Sequence, residues 1–517
     1  MTSDTIRTPG AVGVGVGPFN LSLAALLAPT GFNARFFERS ADFQWHPGLL
    51  LPEATLQVSY LKDLVTLVDP TSQYSFVAFL GAHKRLYRFI NRTESRVSRL
   101  EFNQYLQWVA KRLPNVEFGT EVREVRLDAD GFAVQVDDRT MQTRNLVLGT
   151  GLVPNIQPWS RPYLGNEVFH SNDFLRHPID ATGRVVAVVG GGQSGAEVVW
   201  HLLLDIVHLP SELVWISHRA NFLPLDESPF TNELFNPAYS DYFFSLTSEQ
   251  RDILLSEERL ASDGISPVLL QRIYDRLYDL EFLEQAGRRV LLLPGHEVVD
   301  MKPGNQGCHL TLRDRWGASR TADADVIVLG TGYHYELPEA LLPLAGRLTW
   351  DHDGFPVRAD FSVEWDGPPE LRILRAGRGG KAGLVHAHRF KPGSLEDQVG
   401  RADGSIPASS RSTSAGRRRR RRASSGCAHS RRPTASDRWS CGVAGAVGQF
   451  SHRRVRVSAN RPPRRARTDS RLGFDSRSAR VHPRGLRLPG PSRCVEGGRC
   501  GRVWPLNPVH PPPTGTC

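Results

Sequence analysis

The sequence of 517 residues predicts an α/β fold made of two parallel, doubly wound sheets, the second inserted into the first, followed by a basic tail. Three observations carry this expectation. β-Branched apolar runs alternate with apolar stretches of helical spacing. Two glycine-rich turns, at 13–17 and 190–195, each lie between such a run and such a helix. Near residue 375 the composition changes abruptly.

The chain is long enough for two or three domains with their own cores. At 40% hydrophobic and 23% charged residues it is neither wholly disordered nor collagen-like. The formal charge of +10 averages two unlike parts. Residues 401–517 hold 26 arginines, no lysine and five acidic residues, which leaves 38 basic and 49 acidic residues in 1–400. An acidic body therefore carries a basic tail, and no nucleic-acid partner is expected; a basic arm for nucleic acid or an anionic membrane is the competing reading of the tail. Cys308 is the one cysteine among the first 400 residues, which argues against a disulfide framework and fits a reducing compartment. No basic-then-apolar leader opens the chain. The apolar run 11–28 is interrupted by Gly13, Gly15, Gly17, Pro18 and Asn20, which suits a nucleotide loop and not a membrane helix. The expectation is a cytoplasmic protein without a membrane span.

In chain order, residues 8–37 read as strand, glycine turn, helix and a second strand, 34–37, ending at Glu38. Residues 60–113 look mainly helical, with aromatic residues spread along them. Short strands are expected within 116–136 and at 145–148. A strand at 184–189 leads into the second glycine turn, a helix to about 206, and a strand at 213–217. Residues 247–284 have helical spacing with a break at Ser262-Asp263-Gly264, and strands follow at 290–293 and 324–329. The expected division is 1–180 for the first part of the outer domain, 181–300 for the inserted domain with a substrate-contacting segment, and 301–375 for the return to the outer domain. In 376–517 arginine, serine, proline and glycine dominate. This low-complexity segment cannot bury enough apolar surface to offset its chain entropy, so it is expected to be disordered or the product of a reading-frame shift in a GC-rich gene.

The first turn reads Gly13-Val14-Gly15-Val16-Gly17-Pro18-Phe19-Asn20. Gly13 permits the tight turn, Gly15 lets the backbone approach a pyrophosphate, and the helix N-terminus faces the negative charge. Pro18 stands where a third glycine is usual. Glu38 ends the next strand, where an acid binds a ribose hydroxyl. The second turn, Gly190-Gly191-Gly192-Gln193-Ser194-Gly195, matches G-x-G-x-x-G directly. Its following strand ends in Ser217-His218-Arg219, and a cation there suits the 2′-phosphate of NADPH. The bland alternatives are structural glycine turns and a surface arginine capping a strand. Two Rossmann-like sites in one chain imply electron transfer between two cofactors, most economically FAD in the outer domain and NADPH in the inserted one. A strand at 325–329 ending in Gly330-Thr331-Gly332 can return the chain to the flavin, as Gly149-Thr150-Gly151 does earlier. Residues 1–300 contain no cysteine, which excludes a disulfide reductase and leaves oxygen, a quinone or another protein as electron sink.

Four stretches together resemble the microbial N-hydroxylating flavin monooxygenases, the lysine and ornithine hydroxylases of siderophore biosynthesis. They are Gly13 to Asn20, Phe43-Gln44-Trp45-His46-Pro47-Gly48, Gln57-Val58-Ser59-Tyr60-Leu61-Lys62-Asp63-Leu64 and Ser228-Pro229-Phe230-Thr231-Asn232-Glu233. The resemblance runs from about residue 8 to about 373. Tyr163-Leu164-Gly165 followed by His170-Ser171 is similar to the wider flavin monooxygenase signature, with altered spacing. The resemblance implies FAD contacts at the first turn and Glu38, at Phe43, Trp45, His46, Gln57 and Val122, and at Thr331 and Gly332. It implies NADPH contacts at Gly190, Gly192, Gln193, Ser194, Gly195, Ala196, Arg219, Ser262, Asp263 and Gly264. It puts the amino-acid substrate at Lys62, Asn232, Glu233, Leu234 and Phe235, with Lys62 as the partner of its carboxylate. No metal and no catalytic side chain are implied, because a C4a-hydroperoxyflavin carries the chemistry and the amine attacks its distal oxygen.

Ser262-Asp263-Gly264-Ile265 looks more like the lysine branch, which implies L-lysine as substrate and a hydroxylysine later acylated to a hydroxamate. The family resemblance as a whole implies O2 as co-substrate and a homotetramer. Ornithine and the diamines cadaverine and putrescine are the alternatives. So is a carbon- or sulfur-oxygenating flavin enzyme, or an inactive flavoprotein, since the family's His-Gly and Leu-rich segment has no counterpart after residue 375. On residue chemistry alone, Lys62 and Asp63 could be a solvated pair, Trp45 and His46 could simply pack, and Asn232 could be a turn residue. Tyr239, Tyr242, Phe243 and Phe244 read as core.

Overall fold

A computed structural model describes residues 8–92, 96–177, 179–205, 208–284, 289–304, 307–349 and 354–375. Expectations for the tail, 376–517, lie outside the described residues.

The first sheet is parallel throughout, in the order Arg372–Arg375, Asn145–Leu148, Ala11–Val14, Ala34–Glu38, Val116–Phe118. Its central strands are continuous apolar runs because both faces are covered. One face packs Phe36, Val147 and Leu374 against helices Pro18–Leu27 and Arg99–Ala110. The other packs Val12, Phe37 and Leu146 against the antiparallel meander Val122–Leu127, Phe132–Val136, Arg139–Thr143.

The second sheet repeats the plan. Its strands are parallel in the order Arg289–Pro294, Glu212–Ser217, Val185–Val189, Val326–Leu329, Val168–His170. Helices Gln193–Leu204 and Pro267–Tyr278 lie on one face. A second meander, His296–Pro303, Cys308–Asp314, Ser319–Ala324, covers the other.

Strand pairing moves the expected boundaries. Val326–Leu329, assigned by sequence to the return segment, pairs with Val185–Val189 and Val168–His170 in the second sheet. Residues 168–170 and 308–329 therefore go with the inserted sheet, and a cut at 300 would fall inside strand His296–Pro303. A four-residue run of buried aliphatics looks the same in either sheet, so its own sequence cannot assign it. The chain leaves the first sheet after Leu148 through Val153–Pro154 and returns through Tyr333–His334. These two segments pair antiparallel, so the outward and return crossings run side by side.

A second difference concerns 60–75, which forms turns where helix is expected; helix begins only at Phe76–Ala82. Asp63 organises these turns. Its carboxylate accepts from the N–H groups of Val65 (2.9 Å), Thr66 (2.7 Å) and Phe76 (2.6 Å) and from the Thr66 hydroxyl (2.8 Å). The aromatic residues scattered through this stretch converge, with Tyr60, Phe79, Phe89, Phe102 and Tyr105 all ringed around Phe76 or its neighbours. Among the described residues, no helix is long and apolar enough to cross a membrane, and no group of three or more His, Cys, Asp or Glu is placed to hold a metal ion.

Candidate functional site

In the first turn Gly15 has φ +81°, and a Cβ there would stand 2.8 Å from the Gly149 carbonyl oxygen. Only glycine lets the strand 145–148 loop come that close. Gly17 starts helix Pro18–Leu27 without a side-chain cap, and Pro18 takes the position where an N–H has no helical partner. The first-turn N–H groups are thus left for a ligand, as a pyrophosphate requires. Asn20 is buried and structural: its Nδ2 donates to the Gly15 carbonyl (2.7 Å) and to the Val147 carbonyl (3.3 Å). Glu38 arrives beside the turn. Its carboxylate accepts from Val16 N–H (2.9 Å) and Ser40 N–H (3.0 Å), and retains acceptor capacity for a hydroxyl. Thr120 N–H donates to the Glu38 carbonyl (2.9 Å), which brings Val122 to the same strand end. These residues fit the adenosine diphosphate half of a dinucleotide.

Phe43 is a buried core side chain. Trp45 packs on the same core and its ring meets Phe102 at 5.8 Å, while its backbone N–H donates to Asn103 Oδ1 (2.9 Å). His46 has a left-handed backbone, φ 49°, and its ring lies 6.4 Å from Tyr333. Beside it, His170 Nδ1 accepts from Asn172 N–H (3.1 Å), so Nε2 carries the proton it donates to the Gly332 carbonyl (3.0 Å). Burial lowers the His170 pKa, in keeping with this neutral form, although the Gly332 bond and Asp173 oppose the shift. The Tyr333 hydroxyl is pushed up to about 12 by burial. Thr331 anchors the crossing through its hydroxyl, which donates to the Asn155 carbonyl (2.6 Å).

In the second turn Gly190 has φ +144°, and a Cβ there would overlap the Gly330 carbonyl oxygen. Gly195 lies equally close to the Gly190 carbonyl, and Ala196 is fully buried. Gly192 faces open space at the uncapped start of helix Gln193–Leu204, with Ser194 half-buried in its first turn. Arg219, after the next strand, donates to the Asp263 carbonyl and lies 3.9 Å from the Asp263 carboxylate. Ser262 Oγ donates to that carboxylate at 3.1 Å, and Gly264 presses against Leu225. Arg219, expected at a 2′-phosphate, and Ser262, Asp263 and Gly264, expected at NADPH, therefore share one place. The sequence reading missed Arg259, whose Nε is 3.4 Å from the same carboxylate; its spacing of four from Asp263 in a helical stretch is the signal that was available.

Gln57 and Gln193, expected on different cofactors, touch: Gln57 Nε2 donates to Gln193 Oε1 (3.1 Å). Lys62 and Asn232 also meet, with Lys62 Nζ donating to Asn232 Oδ1 at 3.1 Å. Asn232 Nδ2 donates to the Glu227 (3.3 Å) and Ser228 (3.1 Å) carbonyls, which turns its oxygen toward the lysine. Lys62 lies 5.3 Å over the Phe235 ring. Partial burial lowers its pKa, and Glu233 works in the opposite direction. Leu234 is half-buried in the same turn. Lys62 and Asp63 do not form the solvated pair that the sequence allowed, since Asp63 is spent on backbone and threonine donors. Of the four aromatics read as core, Phe243 is buried, Tyr242 is exposed, Phe244 faces Arg251, and Tyr239 donates to Glu258 (2.6 Å). Asn236 is the helix cap in this segment, accepting from Tyr239 N–H (2.8 Å), so Asn232 is free of that duty.

Over residues 8–335 the chain matches the family of L-lysine 6-monooxygenases and L-ornithine 5-monooxygenases. It is 38% identical over 369 residues to the L-lysine N6-monooxygenase of Escherichia coli, covering 70% of this chain and 86% of that one. Among solved structures it is similar to the FAD-bound cadaverine monooxygenase of desferrioxamine biosynthesis from Erwinia amylovora, at 32% identity and TM-score 0.70, covering 76% of this chain and 94% of that one. It is also similar to the ornithine N-hydroxylase of Kutzneria sp. 744 with reduced FAD, NADP+ and L-ornithine, at 31% identity and TM-score 0.69, covering 77% and 100%.

Proposed function

The chain belongs to the L-lysine 6-monooxygenase/L-ornithine 5-monooxygenase family, and from that premise we propose that it hydroxylates the side-chain amine of L-lysine. Its cofactors are FAD and NADPH. The reaction consumes one lysine, one O2, one NADPH and one proton, and yields N6-hydroxylysine, NADP+ and water. When bound, FAD supplies the redox chemistry, accepting a hydride from NADPH and activating O2. The chain supplies binding, orientation and exclusion of water. Gly15, Gly17 and Glu38 hold the adenosine end of FAD, and Gly192, Arg219 and the 262–264 segment hold NADPH. A hydroxylated lysine, once acylated, gives a hydroxamate that binds ferric iron, which places the reaction early in siderophore assembly.

The observation that carries the choice of an amino acid over a diamine is the Lys62–Asn232 pair, and the choice of lysine over ornithine rests on the likeness of 262–265 to the lysine branch. A half-buried ammonium oriented by a side-chain oxygen suits the carboxylate of an amino acid, and a diamine has no carboxylate to offer it. The test is a hydroxylamine assay with lysine, ornithine, cadaverine and putrescine in turn. Lysine is expected to give the product, and product from a diamine alone would overturn the substrate while leaving the mechanism. Losing one charge-assisted bond, worth about 1.5–3 kcal/mol, should raise the lysine KM of Lys62→Ala roughly 10- to 100-fold while NADPH oxidation persists.

A further inference from the structure

Among the contacts between the two halves of the site is one continuous polar chain. Gln193 opens the helix of the second turn. Its Oε1 accepts from Gln57 Nε2 (3.1 Å) and from Ser266 N–H (2.9 Å), and its Nε2 donates to Glu197 (2.7 Å). Glu197, one helical turn on, accepts a bidentate pair from Arg99, Nη1 at 2.7 Å and Nη2 at 2.8 Å. The Glu197 side chain is 3% exposed and that of Arg99 13%. Arg99 is the first residue of the helix under the first sheet, and its N–H donates to the Ala54 carbonyl (2.9 Å). Leu49, Leu51 and Ala54 are in turn buried in the core of the second sheet.

A buried ion pair is a poor device for stability, since two well-packed apolar residues commonly do as well or better. What a bidentate arginine–carboxylate pair supplies is orientation, because two parallel bonds fix both angle and distance. Here Glu197, the acceptor for Gln193 Nε2, is itself held by Arg99, and satisfied networks of this kind rigidify their surroundings. We propose that Arg99 and Glu197 are a positioning pair that fixes the second nucleotide turn against the Gln57 segment, so that the two cofactors meet in one register. The proposal rests on the reading of two bound dinucleotides, but not on which amine is hydroxylated.

The test uses the full chain with both charges removed, Arg99→Leu/Glu197→Leu, which leaves no unpaired buried ion. Glu197→Gln alone is the companion variant and is expected to be less stable, because Arg99 is left uncompensated. In the double variant the melting temperature, flavin content and NADP+ affinity should stay close to the parent. The limiting rate of flavin reduction at saturating NADPH should fall about 10-fold or more, as misplacement of reacting groups does. Without any cofactor, hydrogen exchange should quicken in peptides covering 51–57 and 193–204 and stay unchanged at 185–189. A parental limiting rate with unchanged exchange would overturn the proposal, and so would a slower rate fully explained by lost flavin or weaker nucleotide binding. Absence of hydroxylamine product from the parent chain would count against the proposed function alone.

Discussion

The two halves of the molecule solve one problem with opposite charges. Each is a parallel sheet between helices and an antiparallel meander, and each presents a glycine turn to an uncapped helix. At the end of the next strand they diverge. The first half places Glu38, whose carboxylate reaches back to the Val16 N–H. The second places Arg219, held by Asp263 with Arg259 nearby. On the proposed function the shared plan serves a dinucleotide and the strand-end residue selects the ribose: an acceptor for free hydroxyls in one half, a cation for a phosphate in the other.

The largest expected effect comes from breaking the shared plan. Gly190→Ala forces a Cβ into the Gly330 carbonyl at a φ that L-residues avoid, whereas Gly192→Ala places one in open space at the helix start. Gly190→Ala should therefore lower the unfolding temperature severely, by several kcal/mol of strain and clash. Gly192→Ala should fold normally and weaken NADPH alone. Equal thermal loss in the two variants would show that the turn is a structural bend in both places.

Next in size is the divergent residue. Arg219→Ala removes the cation expected at the 2′-phosphate, so kcat/KM with NADPH should fall roughly 10- to 100-fold, the worth of one charge-assisted contact. Activity with NADH should hardly move. Glu38→Gln should leave the NADPH-to-NADH ratio untouched and weaken FAD instead. A ratio that shifts with Glu38 and not with Arg219 would reverse the assignment of the halves.

Legibility differed between the two kinds of feature. The glycine turns, Glu38 and Arg219 could be read because their chemistry is local: a strand end next to a turn. Lys62 and Asn232 are 170 positions apart, and only family resemblance put them together before geometry did. Val326–Leu329 was placed in the wrong sheet because parallel pairing partners leave no mark on a buried aliphatic run. Arg99 and Glu197 left no signal at all. Each sits in a helical stretch where charged residues are ordinarily solvated, and the spacing of 98 positions between them carries no period.

The smallest expected effect concerns the crossing that joins the halves. His170 lies at the end of a second-sheet strand, yet its Nε2 proton goes to the Gly332 carbonyl on the return path. Asn172 N–H needs Nδ1 unprotonated, and burial further disfavours the imidazolium. The folded pKa therefore lies below the ordinary value of 6.5. Between those two values the unfolded chain binds the proton more tightly, so the stability this histidine contributes is complete above pH 6.5 and is lost as pH falls toward the folded pKa. His170→Gln can keep a donor toward Gly332 but cannot titrate. Its melting temperature should start slightly lower at pH 7.5 and decline less than the parent's on acidification to pH 5. An identical pH slope in parent and variant would mean that the crossing is held by the paired segments 153–154 and 333–334 and the Thr331–Asn155 bonds, with His170 a bystander to the joining of the two halves.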